Sequence, residues 1–206
     1  MKKLIKMSEK TIPYVDEKAN RVKGFDLIAN FMWRRAFYLA KENFKKNEKI
    51  MVIDGCAGGG KLLSCMDKGW SGKAYEPNYA PYMYANYMLD QDNYDVDIKN
   101  EPFEFHFTSP AFAEYHFAIS VPYVDRQINI CYENDKAYLK MKNYAYYVIS
   151  KSLDVVQSGG FGIFAIPKNL MDLEYYQDEI KNIAEKSNIL SSEGYENYVI
   201  LILKKK

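Results

Sequence analysis

One segment defines the architecture of this chain: Val52-Ile53-Asp54-Gly55-Cys56-Ala57-Gly58-Gly59-Gly60, in which a short apolar run meets an acid and then four glycines. Glycine has no Cβ, so the backbone can turn tightly there and a ligand can approach it within contact distance. Backbone amides beyond such a turn can point at the polar groups of the ligand. The segment therefore predicts a buried strand that ends in a ligand-binding turn.

An acid follows the next predicted strand at the position that a nucleoside ligand requires. Glu76 and Pro77 come directly after residues 73–75. A carboxylate at the end of the second strand can accept hydrogen bonds from both hydroxyls of a ribose. The glycine turn and this acid together predict a cofactor that contains a nucleoside. A glycine-rich connection without a ligand is the alternative, and the spacing of strand, turn and acid disfavours it.

Strands alternate with helices along the rest of the chain. The predicted strands are 50–53, 73–75, 103–107, 117–121, 161–166 and 198–203. The predicted helices are 61–68, 82–89, a long one over 135–157 that Gly159-Gly160 stops, and one that Asp172 caps. Continuous apolar strands between helices indicate an open, mainly parallel α/β sheet that helices cover on both faces. Ligands of such sheets bind beyond the carboxyl ends of the strands.

Residues 1–48 are predicted to be an N-terminal extension, and residues 49–206 the main unit. Apolar residues recur at helical spacing within the extension and predict an amphipathic helix that packs on the core; they are Phe25, Ile28, Ala29, Met32, Trp33, Ala36, Phe37 and Ala40. The densest basic region of the chain includes Arg21, Lys23, Arg34, Arg35, Lys41, Lys45 and Lys46. Contact with phosphates and a simple solvated helix face are both open interpretations of this region.

Composition limits the function of the chain. Its 206 residues carry 28 Lys and Arg against 27 Asp and Glu, a net charge of +1, which excludes a generally basic nucleic-acid coat and leaves only local contact with DNA or RNA. The three cysteines Cys56, Cys65 and Cys131, with no apolar leader in residues 1–10, predict a reducing, cytoplasmic location. His106 and His116 lack finger-like spacing from them, so no metal site is expected. No apolar run is near membrane-spanning length, so no membrane partner is expected.

The glycine turn has one sharper rival interpretation. Gly55 to Lys61 matches the phosphate-binding loop pattern G-x-x-x-x-G-K. Leu62 stands where that loop needs Ser or Thr to hold magnesium, and the strands that begin at Phe117 and Phe161 do not end in the required Asp. A nucleotide-binding protein of the P-loop type would also leave Glu76 without a role, so this interpretation ranks lower.

The fourth predicted strand ends in Phe117-Ala118-Ile119-Ser120-Val121-Pro122-Tyr123. This turn resembles the S-adenosylmethionine-dependent methyltransferases, in particular the nucleobase amino-methyltransferases of the N6-adenine and N4-cytosine type, whose fourth strand ends in Asn-, Asp- or Ser-Pro-Pro-Tyr or Phe. The glycine turn is similar to that family's D-P-x-x-G-x-G, and Glu76-Pro77 resembles its ribose-binding acid. The resemblance extends over about residues 25–206.

The resemblance implies a Rossmann-like sheet of seven strands, mostly parallel, with one antiparallel strand at 198–203. The family usually carries a target-recognition region, but the motifs use nearly all residues after 48 here, so no separate target-recognition domain is expected. It implies S-adenosylmethionine as cofactor, bound by residues 54–60, Glu76, Pro77, Ser120 and Thr108 or Ser109. It also implies methyl transfer to an exocyclic amino group of a nucleobase, with DNA as the first candidate polymer.

The roles of the catalytic turn follow from the chemistry of an aromatic amine. Hydrogen-bond acceptors around the NH2 group draw its nitrogen towards tetrahedral geometry and stabilise the developing charge. By resemblance, Ser120 supplies one oxygen, the carbonyl of Val121 or Pro122 a second, and Tyr123 stacks on the flipped base. The methyl donor is already activated, so proximity supplies most of the remaining rate and no strong general base is needed.

Two departures from the family pattern keep other functions open. Val121 replaces the first proline of the turn, and the short Ser120 side chain suits the cytosine type better than the adenine type. A non-catalytic methyltransferase-like module for binding or structure is therefore the alternative function. The short loops leave little material for sequence readout, so a specificity subunit, a loosely specific DNA or RNA, or a small or protein substrate are all open.

Overall fold

A computed structural model describes residues 25–104, 115–122, 143–171, 174–195 and 197–206. Within these residues the helices are α1 (Phe25–Asn43), α2 (Tyr79–Gln91), α3 (Tyr144–Val155) and α4 (Gln177–Lys186), with single 3₁₀ turns at Leu63–Cys65 and Lys168–Met171. The strands are β1 (Met51–Asp54), β2 (Ser71–Tyr75), β3 (Asp95–Lys99), β4 (Tyr115–Ser120), β5 (Val156–Pro167), β6 (Ser187–Tyr195) and β7 (Tyr198–Lys205).

All seven strands form one sheet in the order β3-β2-β1-β4-β5-β7-β6. The pairs from β3 across to β5 are parallel, and β7 runs antiparallel to both of its neighbours, β5 and β6. This confirms the predicted mostly parallel sheet with one antiparallel strand near the edge. The strand order reverses between β1 and β4, so the carboxyl ends of these two strands border the crevice in which such sheets bind ligands.

Helices cover both faces of the sheet because successive strand residues point to opposite sides. Val52 packs in the apolar cluster that includes α1, whereas the next residue, Ile53, packs in the cluster that includes α3. On the α1 side, Ala85 of α2 covers Ala74 of β2. Side chains of β1 and β4 are fully buried between these layers, which fixes the ends of both strands in place.

Helix α1 runs the length of the sheet, antiparallel to β1 and β4. At its start Asp26 pairs with Lys61 at 2.9 Å, just after the glycine turn, and at its end the Phe44 ring lies 4.9 Å from the His116 ring in β4. Between them the buried Trp33 Nε1 donates to the Leu62 carbonyl oxygen at 2.6 Å. Helix α1 thus covers the predicted amphipathic segment, whereas the division of the chain at residue 48 stays a prediction.

Several predicted elements are wrong. Strand β3 lies at Asp95–Lys99, and Phe103 and Glu104 form a helical turn rather than the start of a strand at 103–107, of which 105–107 lie outside the described residues. β3 was missed because it is an edge strand whose charged residues face solvent, so it lacks an apolar run. The helix predicted over 61–68 is only the 3₁₀ turn Leu63–Cys65.

The elements after residue 143 also differ in detail. Helix α3 ends at Val155 and is capped by Val156, so the Gly159-Gly160 pair does not stop it but lies inside β5, where Gly159 has φ +79°. Helix α4 begins at Gln177 after Tyr176, so the predicted start at Asp172, which lies outside the described residues, is wrong. The edge strand β6 was also not predicted; five of its nine residues are exposed.

Candidate functional site

Asp54 ends β1 and is fully buried. Its Oδ1 accepts hydrogen bonds from the Cys56 amide at 2.9 Å and from the Ser120 hydroxyl at 2.7 Å. Its Oδ2 is equally buried and has no hydrogen-bond partner among the described residues. Because a buried carboxylate oxygen without a partner is costly, this atom is suited to accept a bond from a ligand.

Burial changes the acidity of this group. Desolvation raises the pKa of Asp54 to about 6, the nearby Glu76 charge adds to the increase, and the bonds from Cys56 and Ser120 oppose it. Desolvation dominates because the charged form has lost its water. A cationic ligand beside Oδ2 would favour the ionised form and lower this pKa.

Glu76 ends β2 and is also fully buried. Its Oε2 accepts from the Gly58 amide at 3.0 Å, and its Oε1 accepts from the amide and the side-chain nitrogen of Asn78, both at 2.7 Å. The carboxylate therefore faces the glycine turn and not bulk solvent. This is the position that a ribose-binding acid needs, but the three bonds use three of the roughly four acceptor sites of a carboxylate, so two ribose hydroxyls would have to replace a bond to Asn78.

Glycines shape the turn between these two acids. Gly58 and Gly60 have φ of +54° and +79°, in the left-handed region that favours glycine. A Cβ on Gly60 would lie 2.9 Å from the Ala85 Cβ, so the turn packs directly on α2. A Cβ on Gly55 would lie 2.8 Å from the Phe103 ring. Glycine is thus required by backbone conformation and by close packing on both sides of the turn.

The amides of the turn are used differently from the sequence-based expectation. Four amides of the turn donate to acceptors within the protein. The Cys56 amide donates to Asp54 Oδ1 and the Gly58 amide to Glu76 Oε2. The Ala57 amide donates to the Tyr75 carbonyl at 3.0 Å, and the Gly60 amide to the Ala57 carbonyl at 2.9 Å. The helix expected to present further amides is only one 3₁₀ turn. The polar groups offered to a ligand here are therefore mainly the carboxylates of Asp54 and Glu76.

Ser120 brings the end of β4 to the same place. It is fully buried, and its hydroxyl donates to Asp54, the last residue of the adjacent parallel strand β1. Pro122 is buried two residues later, and Val121 is half-buried between them. The structure thus joins the two turns that sequence motifs had singled out separately. Tyr123, Thr108 and Ser109 lie outside the described residues.

Two asparagines complete the support of Glu76, and sequence reasoning missed both. Asn78 follows the acid by two residues, and Asn100 at the end of β3 donates to the carbonyl oxygens of Glu76 and Pro77 at 3.0 and 3.2 Å. An Asn two residues after an acid is a recognisable local signal, because its amides can bond back to that side chain. Asn100 could not be found without knowing that β3 pairs with β2.

The phosphate-binding-loop interpretation does not fit this geometry. Lys61 pairs with Asp26 at 2.9 Å, with 39% of its side chain exposed.

No cluster of three or more His, Cys, Asp or Glu side chains that could hold a metal ion occurs in the described parts of the chain. Among the helices of those same parts, none is long and apolar enough to cross a membrane.

The basic region of α1 lies mostly away from the site. Lys41 is in the last turn of the helix, and Asn43 lies 3.5 Å from Lys204 at the far end of β7, on the amino side of the parallel strands. Arg35 is paired with Glu193 at 2.6 Å. This end of α1 is opposite the glycine turn, so its lysines are poorly placed to guide a substrate to Ser120.

Solved structures with the same architecture include several methyltransferases, and no protein-family model and no curated protein matches the sequence. A protein of Listeria monocytogenes assigned to the class I S-adenosylmethionine-dependent methyltransferases superposes with a TM-score of 0.67 at 14% identity, over 85% of this chain and 59% of its own. This chain therefore spans less than two thirds of the Listeria protein. The fold of this chain is that of the class I methyltransferases.

Two other similar structures differ in what they modify. The ribosomal protein L11 methylase of Lactobacillus delbrueckii subsp. bulgaricus gives a TM-score of 0.58 at 14% identity, over 87% of this chain and 77% of its own. The tRNA (m1A58) methyltransferase TrmI of Aquifex aeolicus gives a TM-score of 0.54 at 16% identity, over 84% of this chain and 68% of its own. One fold thus serves a protein substrate and an RNA substrate, so residues at the site must indicate the substrate of this chain.

Proposed function

We propose that this protein is an S-adenosylmethionine-dependent methyltransferase that acts on an exocyclic amino group of a nucleobase. One observation carries the proposal: the Ser120 hydroxyl donates to Asp54 at 2.7 Å, so the turn after β4 is in direct contact with the acid that opens the glycine turn. A methyl acceptor bound at the turn after β4 would therefore lie beside a methyl donor bound at the glycine turn. Thr108, Tyr123 and the division of the chain at residue 48 belong to the proposal as inferred from sequence.

The residues present fit this cofactor. Glu76 is placed to hold the two ribose hydroxyls, with Pro77 beside it. The buried and unpartnered Asp54 Oδ2 is placed to accept from the ammonium of the methionine part. Gly58, at φ +54°, keeps the turn free of a side chain where a ligand would approach it. When bound, S-adenosylmethionine supplies a methyl group on a sulfonium, which an amine nitrogen can attack.

Ser120 and Pro122 fit the acceptor side. The Ser120 hydroxyl donates its hydrogen bond to Asp54, so the lone pairs on Oγ can accept from an amine N–H. The carbonyl of Val121 or Pro122 would supply the second acceptor, and the Tyr123 ring the stacking face. Both acceptors raise the electron density on the amine nitrogen as the new bond forms.

DNA is the substrate that we propose first, because the S-V-P-Y turn resembles those of DNA amino-methyltransferases. RNA is a second candidate that one observation favours, the structural likeness to a tRNA methyltransferase. The near-neutral chain and the distant basic end of α1 indicate a local contact in either case. A specificity subunit would supply the sequence readout that the chain has little room for.

The test measures cofactor binding and methyl transfer separately. Calorimetric titration with S-adenosylmethionine measures the pocket, and transfer of labelled methyl to unmethylated DNA and to RNA, followed by nucleoside analysis, identifies the base. Gly58→Leu is expected to abolish binding, because the side chain enters the ligand space at a residue with φ +54°. Tyr123→Ala is expected to bind normally and to lose transfer.

Three outcomes separate the candidate functions. No heat of binding would overturn the enzyme proposal. Binding without transfer to either polymer would favour the non-catalytic module or a missing partner. Normal transfer by Tyr123→Ala would show that the stacking role is wrong while leaving the reaction in place.

A further inference from the structure

The single hydrogen of the Ser120 hydroxyl is committed to Asp54. A serine hydroxyl has one donor and two acceptor lone pairs, so with its donor used Ser120 Oγ can offer only lone pairs to a third group. Both residues are fully buried. Ser120 is therefore oriented before a substrate arrives, and it is oriented as an acceptor.

Asp54 is itself held in one orientation. The same Oδ1 atom that accepts from Ser120 accepts from the Cys56 amide at 2.9 Å, which ties the carboxylate to the start of the glycine turn. A hydrogen bond to an ionised acceptor is shorter and stronger than one between neutral groups, and it polarises the donor hydroxyl. The electron density on Ser120 Oγ is thereby increased on the side that remains free.

We propose that Asp54 is a positioning residue for methyl transfer, which fixes Ser120 as an acceptor for the substrate amine and receives, through Ser120, the proton that the methylated amine releases. The proposal rests on the proposed function and assigns a task to Asp54 beyond binding the cofactor. It also offers a reason why a short serine can serve in this turn: its acceptor strength comes from the carboxylate behind it.

The proton transfer balances. The amine nitrogen forms its bond to the methyl carbon with its lone pair, and the electron pair of the carbon–sulfur bond remains on the sulfur, so the nitrogen is left with one extra proton. That proton moves to Ser120 Oγ as the hydroxyl hydrogen moves to Asp54 Oδ1. The result is a neutral secondary amine, an intact serine and a protonated Asp54, which returns the proton through Ser120 to water that enters the site once the product has left.

The acidity of Asp54 suits this task. In the chain without cofactor, burial raises its pKa to about 6, so the carboxyl is ionised at pH 7.5 and can accept the hydrogen of Ser120. The ionisable groups beside it are the Glu76 carboxyl at the end of β2, whose charge raises the Asp54 pKa further, and the Cys56 thiol in the turn. Glu76 is held by Gly58 and Asn78, which leaves Asp54 as the group bonded to Ser120.

The first test measures the hydrogen bond without any reaction. In the full chain labelled with ¹³C at the aspartate carboxyls, the resonance that disappears in Asp54→Asn belongs to Asp54. Ser120→Ala removes a bond to the ionised form, so this resonance should titrate at higher pH in that variant. Ser152→Ala is the matched control, since it removes another fully buried serine hydroxyl, one that has no hydrogen-bond partner among the residues that the structure describes.

The second test measures coupling in single-turnover transfer at saturating cofactor, so that a loss of cofactor affinity does not enter the rate. Asp54→Asn should lower the rate about 100-fold and remove its fall at acidic pH. If Asp54 acts through Ser120, then Asp54→Asn in the Ser120→Ala background should lower the rate no further. Circular dichroism and cofactor titration show whether each variant is folded and loaded.

The outcomes distinguish this inference from the proposed function. An Asp54 resonance that does not move in Ser120→Ala, or rate losses that multiply in the double variant, would overturn the inference while the methyltransferase proposal stands. A wild-type chain that binds no S-adenosylmethionine would overturn both. Equal rates for the double variant and Ser120→Ala, together with the shifted resonance, would support the relay.

Discussion

The Glu76 carboxylate accepts a hydrogen bond from the Gly58 amide at 3.0 Å, across the gap between the end of β2 and the turn that follows β1. Two neighbouring strand ends are thereby connected through a group that can also bind a ligand. The left-handed backbone of Gly58 is thus held by the same carboxylate that we propose binds the ribose. Loss of either partner should therefore affect both the turn and the ligand.

Glu76→Gln should weaken S-adenosylmethionine binding by tenfold or more. The amide keeps one oxygen, but it loses the charge, and each hydrogen bond to a charged group contributes about 1.5–3 kcal/mol. Calorimetric titration measures the change, with Asp97→Asn as control because that carboxylate is 58% exposed on β3. Equal affinity of wild type and Glu76→Gln would refute the role of this acid.

Gly60→Ala should destabilise the fold more than Gly159→Ala, although both glycines have φ +79°. A Cβ at Gly159 meets nothing within 4 Å, so only the backbone strain of about 1–2 kcal/mol applies there. A Cβ at Gly60 lies 2.9 Å from the Ala85 Cβ, and such overpacking costs about 1–3 kcal/mol more. Urea unfolding of both variants measures the difference; similar losses would contradict close packing of the turn on α2.

Trp33→Phe should lower the free energy of unfolding by about 0.5–1.5 kcal/mol, because the Leu62 carbonyl loses one of its two hydrogen bonds and keeps only that from the Cys65 amide at 3.2 Å. Tyr38→Phe is the matched control on α1: it also removes one polar group, but from a side chain that is 59% exposed, and it should change stability by less than about 0.5 kcal/mol. Denaturant unfolding compares them. A loss no larger than that of the control would argue against α1 as part of the core.

Asp54 should make the fold less stable as the pH rises from about 4 to about 7. Its folded pKa of about 6 lies above the unfolded value near 4, so the folded state binds the proton more tightly and loses that advantage on deprotonation. The difference in unfolding free energy between wild type and Asp54→Asn should therefore fall by about 2–3 kcal/mol over this range. A pH-independent difference would mean that the carboxyl is solvated.

Local patterns predicted the strands that are apolar throughout and the acids that follow them. Residues 52–54 of β1, 115–120 of β4 and 160–166 of β5 are buried on both faces of the sheet, and most of them are apolar. The charged edge strands β3 and β6 gave no such signal and were missed. Helix ends were also mislocated, since Gly159-Gly160 reads as a helix stop but is used inside β5.

The sequence alone determined the alternation of strands and helices, the glycine turn and the presence of acids at two strand ends, because these depend on residues close together in the chain. The contact between Ser120 and Asp54 joins residues 66 positions apart, and Asn100 reaches Glu76 from 24 positions away. Only the pairing of β1 with β4 and of β2 with β3 brings those atoms within bonding distance. The elements are local in origin, whereas the site exists only where the folded sheet brings their ends together.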